Sequence, residues 1–341
     1  MKIRNLLLGL VALSVLSACK PTVSSEDSSE PIVSVTSEDP VTSEDPVTSE
    51  DPVTSEDPVI SEDPISSEWT EPSPVRKPKA EDFNFKPLPA YTGSYYNSID
   101  FNLRGEDLKA ALLAQWKAKF VGITYSQTYA AIVKMDRDPA NPSNILSLYD
   151  LKSQWAGSYN GGKWNREHTF PQSKLADGND NLRAKNNVAN VSSDIANLFA
   201  CDAKLNEQRS NNSYSEWNYE TDPQLYYPFT TTNTAGERVD SILRRGYFSP
   251  THLVRGEVAR AQLYMLLFYP ENCSISENFM IHTMIKWDQN YAPTVERDGQ
   301  RQDGIVEYQK VRNPFIDNRN LSCYIWGDVS PATRELCAGI Y

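Results

Sequence analysis

The sequence predicts a mixed α+β domain, and three segments carry that prediction. Residues 105–120 place Leu108, Leu112 and Trp116 at four-residue spacing, which is typical of an amphipathic helix with one apolar face. Residues 257–269 have a similar pattern and predict a second helix. Residues 145–150 alternate in polarity between turn-forming flanks, which is typical of a strand. We therefore expect helices combined with a small β-sheet.

Residues 1–19 have the features of a bacterial export signal. Lys2 and Arg4 precede an apolar run over residues 6–16, which is too short to span a bilayer. Small residues then lead to Cys19, as in lipoprotein signals, in which this cysteine is lipidated and becomes the mature N-terminus. We expect an exported protein, lipid-anchored to the cell membrane and facing outside. The alternative is a secreted protein with an incidental cysteine at this position.

Residues 20–80 form an acidic, low-complexity segment. The hexapeptide Val-Thr-Ser-Glu-Asp-Pro begins at Val35, Val41, Val47 and Val53. Frequent proline, paired acids and few large apolar side chains leave little surface to bury, so this segment is predicted to be a disordered tether. Residues 81–341 then form one large domain, long enough for its own core.

The tether also explains why the chain is acidic. The whole chain has a formal net charge of −12 and a pI near 4.9, which by itself argues against a nucleic-acid partner. However, 15 of the acids lie in residues 20–80, and residues 81–341 hold 30 acids and 27 bases. Much of the negative charge therefore lies outside the domain. Seven basic residues of the domain could form a basic patch, or they could be ordinary solvated charges scattered over the surface. They are Arg183, Lys185, Arg209, Arg244, Arg245, Arg255 and Arg260.

The candidate catalytic stretch is residues 164–173, where Glu167 directly precedes His168. The chain has three histidines, and His252 and His282 lie in apolar, helix-like surroundings that indicate structural roles. His168 is therefore the main candidate for a base at neutral pH. In an extended segment, neighbouring side chains point to opposite faces, so Glu167 and His168 would reach different partners. Pro171 predicts that the strand ends here.

A second stretch, residues 203–211, supplies complementary chemistry. If this segment is helical, Asn206 and Arg209 lie on one face, because they are three residues apart. An asparagine oxygen is a hard neutral ligand suited to Mg²⁺ or Ca²⁺, and arginine is suited to phosphate. A carboxylate, an amide oxygen, a base and an arginine are the groups needed for metal-assisted cleavage of a phosphodiester.

At these residues the sequence resembles the bacterial endonuclease I family of secreted and periplasmic nucleases. The resemblance extends over roughly residues 91–320 and includes the Glu167-His168-x-x-Pro171-x-Ser173 core and the Asn206-x-x-Arg209-Ser210-Asn211 segment. Three later motifs belong to it: Val254-Arg255-Gly256-Glu257-Val258-Ala259-Arg260-Ala261, then Leu263-Tyr264-Met265 with Trp287-Asp288, and finally Arg312-Asn313-Pro314-Phe315-Ile316-Asp317.

The resemblance implies a ββα-metal (His-metal finger) site and a role for each matching residue. Glu167 and Asn206 would hold a single catalytic ion, Mg²⁺ or alternatively Ca²⁺ or Mn²⁺, and His168 would be the general base. Arg209 falls on the arginine of the family's second segment, and Arg183 is the candidate for phosphate binding between the two segments. The implied activity is cleavage of DNA, with RNA as a further candidate, with little sequence specificity, leaving 5′-phosphate ends. We expect a monomer.

Four cysteines follow Cys19. An even number in an exported chain permits disulfides. Cys323 and Cys337 bracket a short C-terminal loop and are the most economical pair, which leaves Cys201 with Cys273. Other connectivities and free thiols remain open.

A second class of function competes with the nuclease. A surface lipoprotein could keep the nuclease fold and bind nucleic acid without cleaving it, because a fold alone does not define an activity. The presence of Glu167, His168 and Asn206 together argues against that alternative.

Overall fold

The computed structural model describes residues 85–159, 161–216, 227–232, 238–244, 246–274 and 278–341. The predicted export signal, the lipidation site Cys19 and the acidic tether lie outside these residues. No helix in the described ranges is both long enough and apolar enough to cross a membrane.

The described residues form helices and short strands, as the sequence predicted, and the fold is α+β. The helices are α1 Gly105–Lys119, α2 Thr128–Met135, α3 Ala203–Arg209, α4 Arg255–Phe268, α5 Asn278–Asn290, α6 Gln300–Gln309, α7 Pro314–Asp317, α8 Leu321–Trp326 and α9 Pro331–Leu336. The strands are β1 Asn144–Leu146, β2 Ser153–Trp155, β3 Trp164–His168, β4 Leu198–Asp202, β5 Ser213–Tyr214, β6 Tyr227–Thr232, β7 Arg238–Arg244 and β8 Tyr247–Ser249.

These strands form three separate small sheets. Strands β1 and β2 make one antiparallel pair, and β3 and β4 make another. The third sheet has the order β5-β8-β7-β6, in which only β5 and β8 are parallel. Helix α3 begins directly after β4, so the candidate catalytic strand belongs to a strand–strand–helix unit.

Both predicted helices are confirmed as α1 and α4, but the predicted strand over residues 145–150 is wrong in extent. Strand β1 ends at Leu146, because the backbone then turns back to pair with β2. The Ser147 amide donates to the Lys152 carbonyl, and Leu151 takes a positive φ of 51° within this turn. The turn is buried and therefore contains apolar residues, which extend the strand-like pattern of the sequence beyond the end of β1.

Helix α4 lies in the core, and residues 256–268 are all buried. Its charged residues are neutralised there. Glu257 Oε2 pairs with Arg297 Nη2 at 2.8 Å, and Arg260 Nε pairs with Asp298 Oδ1 at 2.6 Å. A buried ion pair loses solvation that only good geometry and further hydrogen bonds can offset, so these pairs fix the packing of α4. Arg260 therefore cannot contribute to a surface basic patch.

One predicted cysteine pair, Cys323 with Cys337, is confirmed. Cys323 and Cys337 form a disulfide across the loop between α8 and α9. Cys201 and Cys273 do not pair; each is a buried free thiol, which is one of the alternatives that the sequence left open.

Candidate active site

The candidate site is built on β3, β4 and α3. In the antiparallel pair, Glu167 lies opposite Phe199 and His168 lies opposite Leu198. Asp202 ends β4 and caps α3, since its carboxylate accepts the backbone N–H groups of Lys204 and Leu205. This cap fixes where α3 begins, and therefore how its side chains face β3.

Strand β3 sends alternate side chains to opposite faces, as predicted. Asn165 and Glu167 face α3, where they contact Asn206 and Arg209 respectively. His168 lies on the other face, where its ring stacks on Tyr125 with centroids 5.9 Å apart. The strand ends at His168, so the end of β3 is the place where groups from both faces come together.

Glu167 is only 2% exposed and is held by two groups. Tyr149 donates its hydroxyl hydrogen to Oε1 at 2.6 Å, and Arg209 Nη1 lies 3.1 Å from the same oxygen. Because the Tyr149 hydrogen is used in this bond, the Tyr214 hydroxyl, 2.5 Å away, donates to the Tyr149 oxygen. Burial raises the pKa of Glu167, while Arg209 and Tyr149 oppose that increase. The carboxylate is thus fixed in position, with Oε1 used by its neighbours.

Arg209 lies inside the protein, with 1% of its surface exposed. Besides Glu167, its guanidinium donates to the backbone carbonyls of His168 at 3.1 Å and Thr169 at 2.6 Å. These bonds tie α3 to the end of β3. Its Nη1 and Nη2 donors are directed at internal acceptors, which does not favour direct contact between Arg209 and a substrate phosphate. These contacts hold Glu167 and the end of β3 in position.

Asn206 also faces β3, on the same side as Glu167. Its Nδ2 donates to Asn165 Oδ1 and, at 3.4 Å, to the carbonyl oxygen of Arg166. Both of these bonds use the amide nitrogen. The amide orientation is therefore defined, and the oxygen Oδ1 is the atom left to act as a ligand.

His168 is buried, with 7% of its surface exposed, and its ring is fixed by two contacts. Nε2 lies 2.8 Å from the carbonyl oxygen of Ser192, and Nδ1 lies 3.3 Å from Nε2 of the Gln172 side-chain amide. A carbonyl can only accept, so His168 Nε2 carries the hydrogen and Nδ1 keeps its lone pair. Burial lowers the pKa of His168 to about 4, despite the opposing hydrogen bond to Ser192. The imidazole is therefore neutral at pH 7.

The carbonyl that orients His168 is itself fixed by a tight turn. Asn190 caps the 3₁₀ turn Val191–Ser193, and its side chain accepts the backbone N–H of Ser192. The Ser192 hydroxyl donates to the Leu182 carbonyl at 2.5 Å. The turn thus connects the histidine to the segment that ends at Leu182.

Arg183 directly follows that segment, and its side chain points outward. Its side chain is 53% exposed and pairs with Asp180 at 2.7 Å, three residues earlier. The Arg183 carbonyl accepts from Asn190, and the next amide, that of Ala184, donates to Gln172. Gln172 and Ser192, both of which contact the His168 ring, are therefore bonded to the backbone around Arg183. Of the two arginines predicted for the site, Arg183 is the accessible one.

A sequence model of the endonuclease I family matches residues 104–320, which is well over half of the chain. The chain belongs to the endonuclease I family. The match includes Glu167, His168, Arg183, Asn206 and Arg209, so the whole site described above lies within it.

Three relatives of this endonuclease I family member are named as extracellular nucleases. An extracellular ribonuclease of Bacillus amyloliquefaciens is 30% identical over 257 residues, which cover 70% of this chain and 79% of the relative. An extracellular ribonuclease of Bacillus subtilis (strain 168) is 27% identical, with 70% and 80% covered. An extracellular deoxyribonuclease of Aeromonas hydrophila is 23% identical, with 64% and 87% covered. Family and relatives together support a hydrolytic nuclease.

The donor set of this endonuclease I site fits a hard divalent ion. Within the described ranges, no group of three or more His, Cys, Asp or Glu side chains is arranged to hold a metal. A site here would instead use one carboxylate, from Glu167, and one amide oxygen, from Asn206. Mg²⁺ is commonly bound by few protein oxygens together with water and substrate phosphate, so this small set suits it.

Four residues of the site were missed from the sequence, namely Tyr149, Gln172, Ser192 and Tyr214. Tyr149 lies in residues 145–150, whose pattern predicted only a strand. Ser192 acts through its backbone carbonyl, so its residue type holds no signal for that role. The Asn190-x-x-Ser193 spacing does predict a capped turn, but it does not indicate which side chain the turn would orient.

Proposed function

We propose that this chain is a metal-dependent endonuclease that hydrolyses phosphodiester bonds of DNA, with RNA as a second candidate substrate and little sequence specificity. The observation that carries the proposal is the end of β3. There His168, fixed with an unprotonated Nδ1, is the immediate neighbour of Glu167, which shares a face with Asn206. A base on one face and two oxygen ligands on the other are the groups that metal-assisted hydrolysis requires.

The strand–strand–helix unit β3-β4-α3 supports a ββα-metal assignment. Glu167 from β3 and Asn206 from α3 would hold one ion, and Mg²⁺ suits their oxygens, as do Ca²⁺ and Mn²⁺. When bound, the ion supplies Lewis-acid stabilisation of the negative charge that develops on the scissile phosphate and the leaving oxygen. Tyr149 and Arg209 hold the Glu167 carboxylate in place for that purpose.

His168 then supplies the base. Its Nδ1 accepts a proton from the attacking water as the water oxygen bonds to phosphorus and the bond from phosphorus to the 3′ oxygen breaks. The leaving 3′ oxygen takes a proton from solvent, so the products carry a 5′-phosphate and a 3′-hydroxyl. The Ser192 carbonyl retains the hydrogen on Nε2, so it keeps the ring in the tautomer that can accept this proton and stabilises the imidazolium that results.

Arg183 is the proposed phosphate-binding residue. Its exposed guanidinium lies on the segment whose backbone is bonded to Gln172 and Ser192, the two residues that fix His168. Its present partner, Asp180, is itself exposed, so the ion pair is weak and a phosphate can replace it.

We further propose that the enzyme acts outside the cell as a monomer. The relatives are named extracellular nucleases, and residues 1–19 have the pattern of a lipoprotein signal. Lipidation of Cys19 would anchor the enzyme to the membrane, and residues 20–80 would hold the catalytic domain away from it.

The direct test of this function is cleavage of supercoiled plasmid and of RNA by the purified chain, with MgCl₂ and with EDTA. We expect nicking with Mg²⁺, loss of cleavage with EDTA, and recovery when Mg²⁺ is added in excess, because the ion stabilises the charge on the phosphate. Cleavage that persists in EDTA would contradict metal dependence. Binding of nucleic acid without any cleavage would favour the inactive surface protein instead.

A further inference from the structure

Trp155 is the most exposed large apolar side chain in the described part of the chain, with 65% of its surface accessible. The four other tryptophans in those ranges, Trp116, Trp164, Trp287 and Trp326, are all 7% exposed or less. Burying an indole normally contributes to stability, so a tryptophan left in solvent calls for an explanation.

The exposed indole has a rigid support on one side. Its six-membered ring lies so close to Gly157 that a methyl group on that glycine would be 2.5 Å from Cζ2 and Cη2. Glycine is the residue that permits this approach. The turn is tied down as well, since the Ser158 hydroxyl donates to the Trp155 carbonyl at 2.6 Å. The ring is thus supported by the backbone and open to solvent elsewhere.

The turn that carries Trp155 is hydrogen-bonded to the beginning of the catalytic strand β3. The indole N–H of Trp164 donates to the Ala156 carbonyl at 3.0 Å, which places Trp155 beside the first residue of β3. The four residue steps from Trp164 to His168 span about 13 Å at the rise of an extended strand. That separation corresponds to a few nucleotides of an extended single strand.

Aromatic and cationic groups lie along β3 between Trp164, beside the Trp155 turn, and His168. On the His168 face of β3, the Arg166 guanidinium lies 3.6 Å from the ring centroid of Tyr125, which stacks on His168. Arg166 also donates to the Tyr159 hydroxyl at 2.8 Å, and its Nη1 donates to the Tyr125 carbonyl and to Thr128 Oγ1, so its guanidinium holds these rings in place. Lys163 is exposed, and its backbone N–H donates to the Ser158 carbonyl, so this basic residue lies next to the Trp155 turn. Cations interleaved with aromatic rings are typical of surfaces that bind single-stranded nucleic acid.

We propose that Trp155 stacks on an unpaired base of the substrate, a few nucleotides from the scissile phosphate, and so favours single-stranded DNA or RNA over duplex. This inference rests on the proposed nuclease function. Bases in a duplex already stack on their neighbours, so only an unpaired base offers a free face to the indole. Stacking on a protein ring requires no particular base, which agrees with low sequence specificity.

The test is a binding measurement that does not require cleavage. The full chain with His168→Ala is titrated into a fluorescently labelled single-stranded oligonucleotide, and separately into a hairpin duplex of the same length, and anisotropy is followed. Adding Trp155→Ala should weaken single-strand binding about tenfold, the scale of one lost stacking interaction. Duplex binding should change little. Trp155→Phe should restore most of the affinity, because a smaller ring remains.

A matched control is Val329→Ala, which trims another exposed apolar side chain, 46% accessible, near the C-terminus. It should leave both affinities unchanged. Equal weakening of single strand and duplex by Trp155→Ala, or no weakening of either, would overturn the proposal. Because cleavage is measured separately on the chain that retains His168, an inactive wild type would refute the nuclease function without deciding whether Trp155 stacks on a base.

Discussion

Replacing His168 with alanine should lower the rate of plasmid cleavage at least about a hundredfold, the usual scale for removing a general base. The substitution removes the Nδ1 lone pair that the Ser192 carbonyl orients. The initial rate at saturating Mg²⁺ measures this loss, and circular dichroism reports whether the fold is intact.

The matched control for His168→Ala is His282→Ala. His282 is half-buried on α5 and has no place in the site described above. We expect this variant to keep the wild-type rate. If His168→Ala also cleaved at a rate close to wild type, the assignment of the base would be wrong.

Replacing Arg209 with methionine should lower the free energy of unfolding by about 3–5 kcal/mol, the range for breaking a buried ion pair by removal of one partner. The Glu167 carboxylate would lose its cation, and the His168 and Thr169 carbonyls would lose their donor. A methionine fills a similar volume, so the loss reports the missing charge and hydrogen bonds. Urea denaturation followed by circular dichroism measures it.

The matched control is Arg183→Met, which removes the same charge from an exposed position. Its ion pair with Asp180 is solvated, so the loss of stability should be below about 1 kcal/mol. Its effect should instead be on catalysis, as a raised KM for nucleic acid, because the phosphate contact is lost. Equal losses of stability in the two variants would contradict the assignment of Arg209 as the internal arginine and Arg183 as the accessible one.

The local geometry of the site could be predicted from the sequence because it follows from the regular side-chain repeats of a strand and a helix. The two-residue repeat of a strand separates Glu167 from His168, and the three-residue spacing on α3 places Asn206 and Arg209 on one side. Both expectations hold in the structure. Neither depends on the remainder of the chain.

What the sequence could not show depends on contacts between distant segments. Whether Arg209 points outward to phosphate or inward depends on the position of Glu167, 42 residues earlier, and of two backbone carbonyls. Tyr149 approaches Glu167 from 18 residues upstream. The exposure of Trp155 could not be predicted either, because it follows from the turn at Gly157. No local sequence pattern distinguishes this tryptophan from the buried ones.

The most direct test of the metal site is Mn²⁺ binding followed by electron paramagnetic resonance, with Mn²⁺ in place of Mg²⁺. We predict one bound ion per chain in the wild type. Binding should weaken clearly in Asn206→Ala, which removes one ligand oxygen, and in Glu167→Gln, which removes the negative charge of the other ligand. Asp180→Asn, which neutralises an exposed carboxylate outside the ligand pair, should bind Mn²⁺ as the wild type does. Titration curves for Asn206→Ala and Glu167→Gln that overlay the wild type, with both variants folded, would contradict the assignment of the ion to Glu167 and Asn206.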